Sequence, residues 1–237
     1  MLGCYYAAMS GMDFSPNREE AEQSRKVTLH HRGQEKTGLE LQGRPWHAYA
    51  ESAEYYLEKF EEFFPGVGDS IREKLSAAKK ETGSAIAVDL AGAASAASLG
   101  ATETICFTLG ETGRQSEEGQ RVVTVDLLSA KGFRELAKTL DELSAPVTVA
   151  FFRPVGAVDH HVGNKFSYAG AARDLSLVFE RMAQGGEMIV DVRRIDTETE
   201  NFKSWLLKLF DSRGAEITQG EKNGETKNIF RIIKTAV

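Results

Sequence analysis

Residues 84–100 read SAIAVDLAGAASAASLG, and the reading of the fold starts there. Ala85-Ile86-Ala87-Val88 is an unbroken apolar run with the length and flatness of a strand buried on both faces. It ends on one carboxylate, Asp89. Small residues follow, Ala91-Gly92-Ala93-Ala94-Ser95, where backbone can come close to a ligand before coiling into a helix. A strand, a tight turn and a helix N-terminus together present N–H groups and a dipole to the negative end of a ligand. In open α/β sheets, ligands sit outside the carboxyl ends of such strands.

Downstream, strand and helix signals alternate. Thr104–Leu109 is a short apolar strand, and the polar stretch from Gly110 to Gly119 is a loop. Arg121–Leu127 is rich in β-branched residues and contains Asp126 near its end. Phe133, Leu136, Leu140 and Leu143 recur at helical spacing, and Pro146–Phe152 is again a buried strand. Ala172, Leu175, Phe179 and Met182 define a helix that Gly185-Gly186 should end, with a fifth strand over Glu187–Val192. Phe202, Trp205, Leu206, Leu209 and Phe210 form a helix, and Asn223-Gly224 joins two closing strands in a hairpin. Alternation of this kind implies parallel pairing with right-handed crossovers. The expectation is an α/β fold: a mostly parallel seven-stranded sheet with an antiparallel terminal strand and helices on both faces.

Upstream, residues 46–83 read as a helical pair. Ala53, Tyr56, Leu57, Phe60, Phe63 and Phe64 form one stripe that Pro65-Gly66 ends. Ile71, Leu75 and Ala78 form the second, which Gly83 closes. Residues 1–45 are poor in large aliphatics and carry no sustained periodicity, so they are expected to be a loosely ordered arm. His30-His31 lies in that arm with no Cys or carboxylate at ligand spacing, and no metal site is expected. Residues 84–237 form the core.

Composition narrows the classes. The chain has 237 residues, 41% of them hydrophobic, which suffices for a core of one large domain. A net charge of −6 gives no general attraction to nucleic acid or anionic membrane. Two cysteines, Cys4 and Cys106, make no disulfide framework and suit a reducing cytoplasm. No apolar run approaches the roughly 20 residues needed to span a bilayer. Leu2-Gly3-Cys4 lacks the basic and apolar leader of a lipoprotein signal.

Three places make residues 46–237 resemble the class I S-adenosylmethionine-dependent methyltransferases. Val88–Ser95 is similar to the family's acidic residue and glycine-rich turn. Val123-Thr124-Val125-Asp126 is similar to the strand whose terminal acid caps the cofactor's adenine. Asp159-His160-His161-Val162, followed by Ala172–Val190, resembles the loop after strand four, the next helix and strand five. The resemblance implies a Rossmann-like methyltransferase fold and S-adenosylmethionine as cofactor, with an unspecified acceptor. Asp89, Ala91, Gly92, Ala93, Glu111 and Asp126 would meet the cofactor. Phe152, Arg153 and His160 would face the substrate, and His161 would serve as a base. The family's turn carries alternating glycines where this chain has Ala91, Ala93 and Ser95, which narrows it. Only Glu111 stands near the place of the acid that grips the ribose.

Each candidate has a plainer role beside the functional one. Asp89 either meets the cofactor's amino group or caps the following helix. Asp126 either accepts from adenine or caps the helix through Phe133. Arg153 either holds an anionic group or makes an ordinary salt bridge. A dinucleotide fingerprint is missing because Gly92 has no glycine two residues on, and no P-loop or nucleophile elbow occurs. Two functions follow: a methyltransferase, or a catalytically inactive chain of the same fold that binds or scaffolds a protein partner through its N-terminal arm.

Overall fold

The computed structural model describes residues 28–31, 34–37, 53–90, 92, 95–108, 118–125, 127, 129–153, 168–192, 199–211 and 213–235. Ala91, Ala93, Glu111, Asp126, His160 and His161 lie outside them. Within the stretch read as an arm, β1 (Thr28–His31) and β2 (Gln34–Thr37) pair antiparallel.

The helical pair forms as its stripes require. α1 spans Ala53–Glu61 and α2 spans Val67–Thr82. Glu61 joins them: its two carboxylate oxygens accept from the backbone N–H of Gly66 and of Gly68, each at 2.7 Å. Those are donors that a helix start leaves without intrahelical partners. Gly83 closes α2, its N–H donating to the Lys79 carbonyl at 3.0 Å.

The core sheet contains β3 (Ile86–Leu90), β4 (Glu103–Thr108), β5 (Gln120–Thr124), β6 (Val147–Phe152), β7 (Met182–Asp191), β8 (Ala215–Lys222) and β9 (Glu225–Lys234). Their order is β5-β4-β3-β6-β7-β9-β8, with every neighbour parallel except β9, which runs against both β7 and β8. The reversed strand is last in chain order yet lies inside the sheet. Asn223 and Gly224 turn the hairpin with φ of 55° and 78°, the left-handed pair that a two-residue connection needs. This is the mostly parallel, seven-stranded Rossmann-like arrangement expected from the alternating pattern.

Helices α3 (Ala130–Asp141), α4 (Tyr168–Arg181) and α5 (Thr199–Phe210) complete the layers. Successive residues of β3 point to opposite faces, and two cores result. Ile86, Val88 and Leu90 join Leu136, Leu175, Phe179, Phe202 and Leu206 under α3, α4 and α5. Ala85 and Ala87 join Leu57, Phe60, Ile71 and Leu75 under α1 and α2.

Two sequence expectations are corrected here. Gly185-Gly186 does not end the helix, because α4 stops at Arg181 and β7 already begins at Met182. The glycines lie in a register shift where Val147 pairs with Met182 but Val149 with Glu187, and Gly185 has φ of 74°. The extra residues of β7 bulge there, as glycine permits. The small-residue turn after β3 does not coil into an α-helix either. Among its described residues the only helical piece is a single 3₁₀ turn, Ala97–Leu99, too short to sum a useful dipole.

Candidate functional site

The topology puts a switch point between β3 and β6. From β3 the chain builds outward through β4 and β5, then returns to add β6 and β7 on the other side. The carboxyl ends of β3 and β6 therefore mark the switch point, the place where open α/β sheets hold ligands. Val125, just past β5, donates its N–H to the Thr108 carbonyl at 2.6 Å, so β4 and β5 end at the same rim. Beyond it, the Leu127 carbonyl accepts from Arg173 of α4 at 2.7 Å, which ties the turn after β5 to that helix.

Asp89 lies on β3 and Arg153 just past β6, the two strands that meet at the switch point. Asp89 is paired in register with Phe151, and Arg153 follows Phe152, the last residue of β6. Arg153 Nη2 donates to Asp89 Oδ2 at 2.9 Å, with the two side chains 4% and 0% exposed. The guanidinium carbon lies 2.9 Å from the ring centroid of Tyr56 on α1. A planar, weakly hydrated guanidinium is the cation best suited to a dry site that offers one carboxylate and one ring face. Phe60, one turn further along α1, packs on Phe151 with ring centroids 6.3 Å apart, so α1 lies against the end of β6.

Gly92 is needed for space. A Cβ at this residue would stand 2.6 Å from both Cγ and Oδ1 of Asp89. The chain doubles back against its own carboxylate, and only hydrogen fits between them. The turn then ends at Ala96, whose N–H donates to Thr104 Oγ1 on β4 at 3.0 Å.

Several roles read from the sequence change at this point. Asp89 gives a carboxylate oxygen to Arg153, and the residue before the 3₁₀ turn is Ala96, without a side-chain cap. The N-cap of α3 is Ser129, whose Oγ accepts from Gly132 N–H at 2.9 Å, the role weighed in the sequence for Asp126, which lies outside the described residues. The anion held by Arg153 is the chain's own Asp89. Phe152 is 3% exposed and belongs to the core under α3, α4 and α5. Tyr56, read as one more ring of a core stripe, is part of the site. Its spacing from Leu57 and Phe60 fits a core helix equally well, and only the strand order brings Arg153 to it. Among the described residues, no three His, Cys, Asp or Glu side chains are placed to hold a metal ion. Among them too, no helix is long and apolar enough to cross a membrane.

No family model and no curated protein matches this sequence. Solved structures do resemble it. An rRNA methylase from Streptococcus thermophilus is 16% identical, with a TM-score of 0.46, over 72% of this chain and 95% of that one. Magnesium protoporphyrin IX methyltransferase from Synechocystis, with bound SAM, is 13% identical, with a TM-score of 0.41, over 71% and 78%. The MycE methyltransferase of the mycinamycin biosynthetic pathway, in complex with Mg and SAH, is 9% identical, with a TM-score of 0.45, over 72% and 49%. The strand order and the reversed β9, rather than these likenesses, carry the fold.

Proposed function

We propose that the switch-point rim binds S-adenosylmethionine and that the chain is a methyltransferase. The observation that carries this reading is the strand order, with β9 reversed between β7 and β8 and with Asp89 on β3 and Arg153 just past β6 paired at the switch point. The rim suits the cofactor's polar end. Gly92 lets the backbone pass close by, and Asp89 supplies a fixed carboxylate, which accepts hydrogen bonds from an ammonium or from hydroxyls. In this reading Asp89, Ala91, Gly92 and Ala93 hold the amino-acid end, while Glu111 and Asp126 take the ribose and adenine. Arg153 and His160 stand toward the acceptor, with Phe152 as the wall behind them and His161 as the base.

The bound cofactor would supply a methyl group on a sulfonium, already a good leaving arrangement. The protein's part is to align it and keep it dry. The buried ion pair suits that part: Arg153 and Asp89 neutralise one another, and neither needs water at the rim.

One observation favours the second reading, a binding subunit of the same fold. The Asp89 carboxylate is engaged by Arg153, and a 3₁₀ turn stands where a helix N-terminus would help hold a ligand. Calorimetric titration with S-adenosylhomocysteine separates the two. Micromolar binding, lost in Asp126→Ala, supports the methyltransferase. No heat at millimolar ligand overturns it and leaves the subunit, with residues 1–45 as its grip on a partner.

A further inference from the structure

We infer that Tyr56 is a positioning residue for the cofactor rim, acting through Arg153 to fix the direction of the Asp89 carboxylate. The inference rests on the methyltransferase reading and extends it to α1, a helix that precedes the sheet.

Three contacts carry it. Tyr56 is backed by Phe60, with ring centroids 6.5 Å apart and planes 22° from parallel, and Phe60 is itself stacked on Phe151 of β6. The guanidinium of Arg153 lies on the Tyr56 ring, 2.9 Å from its centroid. The same guanidinium donates to Asp89 Oδ2 at 2.9 Å. A long arginine side chain has many rotamers to lose, and a flat ring beneath it removes most of that freedom. With the guanidinium plane set, one side of the carboxylate is set. The backbone at Gly92 lies against the same carboxylate: a Cβ there would meet Oδ2, the oxygen that Arg153 holds, and stand 2.6 Å from Cγ and from Oδ1. Asp89 is thus held by a ring-backed cation, with the Gly92 backbone packed against it. A fixed carboxylate selects ligand groups that are cationic or donate hydrogen bonds. In S-adenosylhomocysteine that group is the ammonium of the amino-acid end. 5′-Methylthioadenosine keeps the nucleoside and the thioether but lacks the amino-acid end.

The test titrates the full chain with both ligands. In Tyr56→Leu, the dissociation constant for S-adenosylhomocysteine should rise about three- to tenfold, the factor equivalent to one partly buried cation–π contact. That for methylthioadenosine should stay within about twofold of the wild-type value. Tyr56→Phe keeps the ring face and should restore homocysteine-ligand affinity. Arg153→Lys keeps the charge without the planar stack, and should show the same selective loss even where Tyr56→Leu folds poorly. A wild-type chain that binds neither ligand overturns the methyltransferase reading, and this inference with it. A wild-type chain that binds both, with variants that lose neither or lose both equally, overturns the positioning role alone.

Discussion

Two carboxylates on the sheet are fully buried, Asp89 on β3 and Glu187 on β7, and they are held in different ways. Glu187 is gripped at both oxygens by Arg231 of β9, at 2.7 and 2.9 Å, and accepts from Ser70 of α2 at 3.0 Å. Lys74 Nζ stands 3.6 Å away. The hydrogen bonds that Glu187 accepts push the Arg231 guanidinium above its ordinary range, as a forked, charge-assisted pair should. Arg153 instead reaches a single oxygen of Asp89 with one nitrogen, and its flat face lies on a ring. A two-oxygen fork from a neighbouring strand, reinforced from a helix, locks strand to strand and strand to helix. A one-oxygen contact backed by a ring face sets a direction. The first arrangement is architecture, and the second suits the proposed cofactor rim.

The largest expected effect belongs to the first. Arg231→Met leaves Glu187 buried without its fork and should lower the unfolding free energy in urea by about 3–5 kcal/mol. Adding Glu187→Met should recover most of that loss, because a matched apolar pair needs no compensation. Affinity for S-adenosylhomocysteine should stay within about twofold in the double variant, and a larger loss would mean that the two ends of the face are coupled. Asp89→Asn should show the reverse balance. Unfolding free energy should fall by only about 1–3 kcal/mol, since the amide oxygen still accepts from Arg153, while ligand affinity drops at least about tenfold.

Two glycines sharpen the contrast at smaller cost. Gly92→Ala meets the Asp89 carboxylate and should cost about 1–3 kcal/mol, with weaker ligand binding. Gly185→Ala meets nothing within 4 Å but must hold φ at 74°, so it should cost about 1–2 kcal/mol and leave binding unchanged. Thermal unfolding with and without ligand reads both.

The smallest effect concerns Lys234, three residues beyond Arg231. Its ammonium donates to the carbonyls of Phe179, Glu180 and Met182 at 3.0, 3.0 and 2.8 Å, joining β9 to the end of α4. Burial pulls its pKa below the ordinary 10.5, with Glu180 opposing in part. Between the lowered value and 10.5 the unfolded chain holds more protons than the folded one, so this group's contribution to stability rises with pH there. Its penalty is complete at lower pH. The wild-type melting temperature should gain slightly on Lys234→Met as pH climbs toward 10.5, and a constant difference would refute the assignment.

Much of the architecture was legible because its signals are local. Runs such as Ala85–Val88 declare buried strands, the stripe through Ile71 and Leu75 declares a helix, and Asn223-Gly224 declares a hairpin. Gly185-Gly186 misled because the pair looks like a helix stop, whereas a bulged strand absorbs it at a register shift set by β6. The site was legible in its parts and not in its assembly. Asp89 and Arg153 both stood out, yet their pairing depends on β3 and β6 being neighbours, a contact between residues 64 positions apart. Tyr56 carried no signal that distinguishes a ring supporting a guanidinium from a ring in a core.

The interior place of β9 has a consequence for how the molecule comes into being. During synthesis β7 is available long before its second neighbour, and β8 has no partner until the chain has passed Gly224 and turned back. A nascent chain stalled short of residue 225 exposes an unpaired sheet edge and leaves Glu187 without its Arg231 fork. The lock at this end of the protein therefore closes last, and a ribosome must deliver Arg231 before the sheet is whole.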